Sequence, residues 1–227
     1  MTATSKPRAL ITGASRGLGA AIARTLHPDY ELLLGARTPA ALAPVLAELP
    51  TATGWPVELT DYSAVAAATA GIERLDVLIH NAGVADLDTI ADSTVDQWRK
   101  TLEANLIAVA ELTRLLLPAL RTANGHVVLV NSGAGQRANP GWASYAASKF
   151  GLRAFADALR QEEPTLRVTS IYPGRTATDM QRAVHAHESR PYDPTKYLQP
   201  ETVARAIHQA LTTPPDAHPT EITLRPR

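Results

Sequence analysis

The feature that most constrains this chain is the run Thr12-Gly13-Ala14-Ser15-Arg16-Gly17-Leu18-Gly19, set between an apolar stretch, Ala9 to Thr12, and a run of helical character, Ala20 to Leu26. Glycine permits positive φ and close backbone approach. A glycine-rich turn that opens a helix therefore leaves N–H groups free at the end where the helix dipole favours negative charge, and a phosphate can sit there. Strand, glycine loop and helix in this order make a dinucleotide-binding βαβ unit. The competing reading is a tight turn without a ligand, and the flanking strand and helix weigh against it.

The rest of the chain repeats the same alternation. Short apolar runs at Ala9 to Thr12, Glu31 to Gly35, Gly54 to Leu59, Val77 to His80, His126 to Asn131, Arg167 to Tyr172 and Glu221 to Leu224 are separated by longer helical segments. Most lack strict in/out alternation, as expected for strands covered by helices on both faces. The expectation is a single Rossmann-type doubly wound α/β domain over residues 1–227, with about seven parallel strands flanked by helices. Thr38 before Pro39 and Asp61 after Thr60 are set to cap the helices that follow the second and third strands. At 227 residues and 45% hydrophobic content the chain suffices for one sizeable core.

Charge and composition exclude several functions. Lys plus Arg and Asp plus Glu both number 22, so no net field draws a nucleic acid or an anionic membrane. With no cysteine, disulfides, thiolate metal sites and cysteine nucleophiles are ruled out. His185 and His187 have no third ligand at metal-binding spacing, and no metal site is expected. Met1 to Arg8 is polar, without the apolar stretch of a signal peptide or a membrane span, and a cytoplasmic protein is expected.

The second strand ends Leu34-Gly35-Ala36-Arg37. Dinucleotide folds that prefer NAD place a carboxylate there for the ribose hydroxyls. Here Arg37 and Arg16 offer guanidinium forks suited to a 2′-phosphate instead, which favours NADP(H). Each arginine alone is equally compatible with a solvated surface.

Three polar features stand where the fold otherwise wants apolar residues or plain turns. Asn105 shares a helical stripe with Leu102, Leu106, Val109, Leu112 and Leu116, so its amide faces the core and must find partners. Ser132, in Asn131-Ser132-Gly133, ends a strand and so points toward the crevice of an open α/β sheet. Tyr145 and Lys149 lie four apart in the helical segment Ser144 to Leu159 and meet the same ligand. Lowering a tyrosine from pKa ~10 to near neutrality takes roughly 4 kcal/mol, which an ammonium and an oxidised nicotinamide together can provide. A tyrosine so tuned donates a proton to a carbonyl or takes one from an alcohol.

Four motifs in order now carry a family resemblance: the TGxxxGxG loop at Thr12 to Gly19, Asn81-Ala82-Gly83, Ser132 with Tyr145-x-x-x-Lys149, and Pro173-Gly174 leading to Thr176 and Thr178. From Arg8 to about Leu224 the chain resembles the short-chain dehydrogenase/reductase family. The resemblance implies that Ser132 polarises a substrate carbonyl, Tyr145 transfers the proton, Lys149 binds the nicotinamide ribose and lowers the tyrosine pKa, and Asn105 holds a relay water. It further implies cofactor contacts from Gly13, Ser15, Arg16, Gly17, Leu18, Arg37, Glu58, Leu59, Asn81, Ala82, Gly83, Pro173, Gly174, Thr176 and Thr178. Glu58 departs from the family's usual aspartate at the adenine. The ending Glu221 to Pro226 lacks the glycine-rich tail of longer members, which bears on tetramer contacts. A homodimer or homotetramer is expected through the helices that carry Asn105 and Tyr145.

Substrate selection is assigned to Gln136, Arg137 and Trp142 and to Met180 to Tyr197, a segment rich in His, Arg and Tyr that suits a polar or aromatic carbonyl compound. The expected activity is NADP(H)-dependent carbonyl reduction or alcohol oxidation on a small molecule. The alternatives are a non-catalytic NADP(H)-sensing protein and an NAD-dependent alcohol dehydrogenase.

Overall fold

The computed structural model describes residues 6–227. In chain order the elements are β1 (Arg8–Ile11), α1 (Gly17–Leu26), β2 (Glu31–Ala36), α2 (Pro39–Glu48), β3 (Thr53–Pro56), α3 (Tyr62–Thr69), β4 (Val77–His80), α4 (Val95–Leu102), α5 (Ala108–Ala123), β5 (His126–Val130), α6 (Ala143–Glu162), β6 (Arg167–Pro173), α7 (Asp179–His187), α8 (Pro200–Thr212) and β7 (Glu221–Leu224). The seven strands form one all-parallel sheet in the order β3-β2-β1-β4-β5-β6-β7. This is the doubly wound Rossmann arrangement that the sequence predicts.

Strand faces alternate between two apolar layers. Ala9, Ile11, Val77, Ile79, Val128, Val130 and Ile171 pack with Ile22 and Leu26 of α1 and Val203 and Ile207 of α8. On the other face Leu10, Leu78, Val127, Leu129 and Val168 pack with Leu112 and Leu116 of α5 and Leu152 and Ala156 of α6. Each fully buried aliphatic side chain contributes about 1.5–3 kcal/mol of transfer free energy, which makes these layers the main hold on the sheet. Thr38 and Asp61 cap α2 and α3, accepting from Ala41 N and Ala64 N, as their positions suggest.

Two expectations are corrected. The third strand stops at Pro56 rather than Leu59: Val57 N still donates to Ala36 O, after which the chain turns to let Asp61 start α3. The stripe through Asn105 is not one regular helix, since a π-helical turn, Glu103–Ile107, separates α4 from α5. No helix among the described residues is long and apolar enough to cross a membrane.

The order reverses between β1 and β4, so the loops after these strands diverge and open a crevice at their C-terminal ends. Two buried histidines lie in the sheet, His80 at the C-terminal end of β4 and His126 at the N-terminal end of β5. His80 pairs with Thr113 Oγ1 at 2.9 Å and His126 with Thr169 Oγ1 at 2.8 Å. Burial holds both imidazoles down to about 3, helped at His80 by the Lys149 charge and at His126 by Arg167. Because each protonates readily only when unfolded, stability is full above the ordinary histidine value and is lost as the pH falls toward 3. Between pH 7 and pH 5 the two together are expected to cost about 4 kcal/mol, read as a drop in urea midpoint. A loss under about 1 kcal/mol would contradict this origin.

Candidate active site

The glycine loop owes its shape to its neighbours. Gly13 and Gly17 have φ of +64° and +54°, the left-handed region open to glycine at little cost. Thr12 Oγ1 accepts from both Asn81 N and Ala82 N at 3.0 Å, and Asn81 Nδ2 donates back to Thr12 O at 3.0 Å and Gly13 O at 3.1 Å. This clasp ties the exit of β1 to the exit of β4. A Cβ on Gly19 would lie 2.6 Å from Asn81 Nδ2 and 2.8 Å from the Gly13 carbonyl carbon, so α1 can start here only with glycine. Arg16 occupies the cap position of α1 without a side-chain cap, and the first turn carries no acid. The helix end therefore presents open donors and positive potential, which fits a pyrophosphate.

A cleft of about 1480 Å³ runs from this loop across the sheet, lined by Ser15, Arg16, Gly17, Leu18, Arg37, Glu58, Leu59, Asn81, Ala82 and Gly83 at one end and Ser132, Tyr145, Lys149, Pro173, Gly174, Thr176 and Thr178 at the other. Every residue that the sequence assigns to cofactor binding lies on it. Arg37 is exposed with no hydrogen bond or ion pair among the described residues, whereas Arg16 meets Asp179 at 3.5 Å. Glu58 turns its carboxylate onto its own chain, accepting from Thr60 N at 3.3 Å and Thr60 Oγ1 at 3.1 Å. Asn81, expected under a ribose, has its amide nitrogen taken up by the clasp.

The catalytic candidates converge from β5 and α6. Lys149 is buried, and its Nζ donates to Val130 O at 3.0 Å. Burial brings its ammonium down to about 8. Asn131 braces the pair: its Nδ2 donates to Lys149 O at 3.0 Å and its Oδ1 accepts from Ser132 N at 2.8 Å. Tyr145 packs edge-on against Trp142 with centroids 5.7 Å apart, and Lys149 Nζ lies 5.8 Å from the tyrosine ring centre. Burial raises the Tyr145 phenol, and the nearby Ser132 hydroxyl opposes that rise. The sequence reading assigns a lowered value to the lysine and an oxidised nicotinamide together; among the protein's own groups, desolvation of the phenolate dominates.

Asn105 is buried in the π turn, one layer behind the cleft. Its Oδ1 accepts from Val84 N at 2.8 Å, and its Nδ2 donates to Val84 O at 2.9 Å and Ser148 Oγ at 3.0 Å. Ser148 in turn donates to Tyr145 O at 2.7 Å. The amide thus locks the turn after Gly83 to the helix carrying Tyr145 and Lys149. A π bulge adds a residue at such a point without breaking the helix.

On the remaining wall, Thr178 caps α7 by accepting from Gln181 N at 3.3 Å, and Thr176 Oγ1 donates to Gly174 O at 3.0 Å. Arg137, Trp142, Met180, Gln181 and Val184 face the cleft. The later part of the Met180 to Tyr197 segment does not. His185 is buried, with Nε2 against Tyr197 Oη at 2.8 Å and Nδ1 against Pro191 O at 3.0 Å, so it holds the segment together. Gln136 is engaged by Thr223 and Arg225. Sequence reasoning misses the Thr12 clasp, Asn131, Ser148 and Arg225. A threonine closing the first strand and an asparagine closing the fifth were the available signals for the first two.

The profile of the family described as short chain dehydrogenase matches residues 7–189. Mouse dehydrogenase/reductase SDR family member 11 is 33% identical over 96% of this chain and 93% of its own length. Glycine betaine reductase ATRR of Emericella nidulans is 36% identical over 96% of this chain, which spans 18% of that longer protein. Among solved structures, an alcohol dehydrogenase from the archaeon Thermococcus sibiricus, complexed with 5-hydroxy-NADP, superposes with a TM-score of 0.89 at 27% identity, covering 98% of this chain and 97% of the other.

Proposed function

The chain belongs to the short-chain dehydrogenase family of oxidoreductases, and from that premise we propose that it moves a hydride between NADP(H) and a small carbonyl or alcohol, with Tyr145 as acid and base. The observation that carries this reading is the convergence of Ser132, Tyr145 and Lys149 on the same cleft as an uncapped, acid-free helix end.

The nicotinamide, when bound, supplies or accepts the hydride, and its oxidised ring is cationic. The protein's residues do the rest. The glycine loop and the α1 end take the pyrophosphate, and Lys149 holds the ribose. Ser132 donates to the carbonyl oxygen and orients it. As the carbonyl carbon gains a hydride, its oxygen takes the proton from Tyr145 Oη, leaving a phenolate beside the Lys149 ammonium. In the other direction that phenolate accepts the alcohol proton. A phenol raised by burial is the protonated form that reduction needs at neutral pH. Asn105 and Asn131 keep α6 in register with the turns beneath it, and the relay water assigned to Asn105 belongs to the same proposal.

The reading includes one domain over residues 1–227 and a homo-oligomer. Ile107 and Phe150, 47% and 43% exposed beside and on the catalytic helices, are the apolar surface such an assembly would cover.

NADP(H) preference rests on Arg37, which follows β2 and has no ion-pair partner among the described residues, and the solved relative with 5-hydroxy-NADP supports it. The test is titration with NADPH and NADH. Wild type is expected to bind NADPH at least about tenfold more tightly, and Arg37→Ala to lose most of that margin while NADH affinity holds, since a charge-assisted phosphate contact is worth about that factor. Equal affinities throughout would remove the 2′-phosphate argument.

A further inference from the structure

The catalytic end of the cleft holds more positive charge than its own acids balance. Lys100 is paired with Asp86 at 2.9 Å, Arg175 with Glu188 at 2.7 Å and Asp179 with Arg16 at 3.5 Å. Arg137, Lys149 and Arg225 line the same cleft and have no ion-pair partner among the described residues. Lys149 is committed to the tyrosine and the ribose, and Arg137 lies on the solvent rim. Arg225 is exposed as well, but three hydrogen bonds hold its guanidinium in place and no other role claims it.

Arg225 follows β7, at the opposite edge of the sheet from the adenosine end. Its Nη1 donates to Tyr172 O at 2.9 Å and Leu224 O at 3.0 Å, and its Nη2 to Gln136 Oε1 at 2.8 Å. Gln136 is itself fixed by Thr223 Oγ1 at 3.2 Å. A guanidinium has five N–H donors, so these three bonds leave two free, one on Nη2 and one on Nε. A Cβ on Gly133 would meet Nη2 at 3.6 Å and Cζ and Nη1 at 3.7 Å. The guanidinium therefore lies against the residue that follows Ser132. A tether for the C-terminal tail needs donors to Tyr172 O and Leu224 O, but it needs no charge facing the cleft. A pre-oriented fork beside a carbonyl-polarising serine is what selection of a carboxylate requires.

We propose that the substrate is a carbonyl compound that also carries a carboxylate, and that Arg225 selects it by binding that carboxylate. The inference rests on the reading of Ser132 and Tyr145 as the carbonyl site. Gly133 directly follows Ser132, so the carboxylate site adjoins the carbonyl site.

The test uses full-length protein with NADPH and compares levulinate with methyl levulinate, which keep the same ketone and differ in charge. Wild type is expected to favour levulinate in kcat/KM by about 30-fold, the worth of a charge-assisted bond. Arg225→Gln should collapse that ratio toward one, and Arg225→Lys should restore part of it. Equal loss on acid and ester would make Arg225 a tether and overturn the proposal, as would an unchanged ratio. A calorimetric titration of levulinate into the protein saturated with NADP⁺ reads the same question without turnover. Arg225→Gln should weaken that binding about tenfold or more, and equal affinity, or no binding by wild type, overturns the proposal. Absence of turnover on both substrates would count against the oxidoreductase reading, while the binding experiment would still decide the role of Arg225.

Discussion

Tyr145→Phe is expected to lower turnover by about three orders of magnitude while NADPH affinity stays within about threefold of wild type, because the change removes the transferable proton and little else. The ring stays as packing. It is buried edge-on against Trp142, and phenylalanine fills the same space. Tyr145 Oη has no hydrogen bond to another described side chain, so the melting temperature is expected to shift little. Lys149 keeps its bond to Val130 O, so the ribose-binding end of the site is undisturbed. Initial rates and a fluorescence titration with NADPH read the two effects separately. Residual turnover within tenfold of wild type would assign the proton to another group.

Gly19→Ala is expected to weaken NADPH binding by at least about 100-fold and to destabilise the protein by about 1–3 kcal/mol. The added methyl meets the Gly13 carbonyl and the Asn81 amide, both held by the Thr12 clasp, so the loop must move. Any movement turns the open N–H groups of α1 away from the pyrophosphate. Gly71→Ala is the matched control, since a Cβ there meets nothing within 4 Å. Thermal melts and NADPH titration of the two variants check the expectation, and equal behaviour of both would mean that the loop tolerates the methyl and does not need its tight approach.

The parts of this molecule legible in the sequence are those whose signal is local. The apolar runs of β1, β2, β4 and β7 mark strands within a residue or so, and Thr38 and Asp61 cap where a short polar side chain before a helix must. Tyr145 and Lys149 meet because a helix brings i and i+4 together. What escapes is set by tertiary contact. The π turn around Asn105 places an amide that Val84 and Ser148 satisfy together, and those residues lie 21 and 43 positions away in sequence. Arg225 reaches the site only because β7 pairs with β6. His185 reads as one more polar residue of the Met180 to Tyr197 segment until Tyr197 and Pro191 are seen against its ring. How completely the Tyr145 phenol is desolvated in the protein alone is likewise not carried by spacing along a helix.

The most direct test of the central claim is the rate at which wild-type protein oxidises NADPH against a panel of small ketones, aldehydes, quinones, diketones and keto acids, with NADH run in parallel. The expected result is turnover of at least one compound with kcat/KM for NADPH at least about tenfold above that for NADH. Tight NADPH binding without oxidation of any compound, or equal use of both cofactors, would contradict the account.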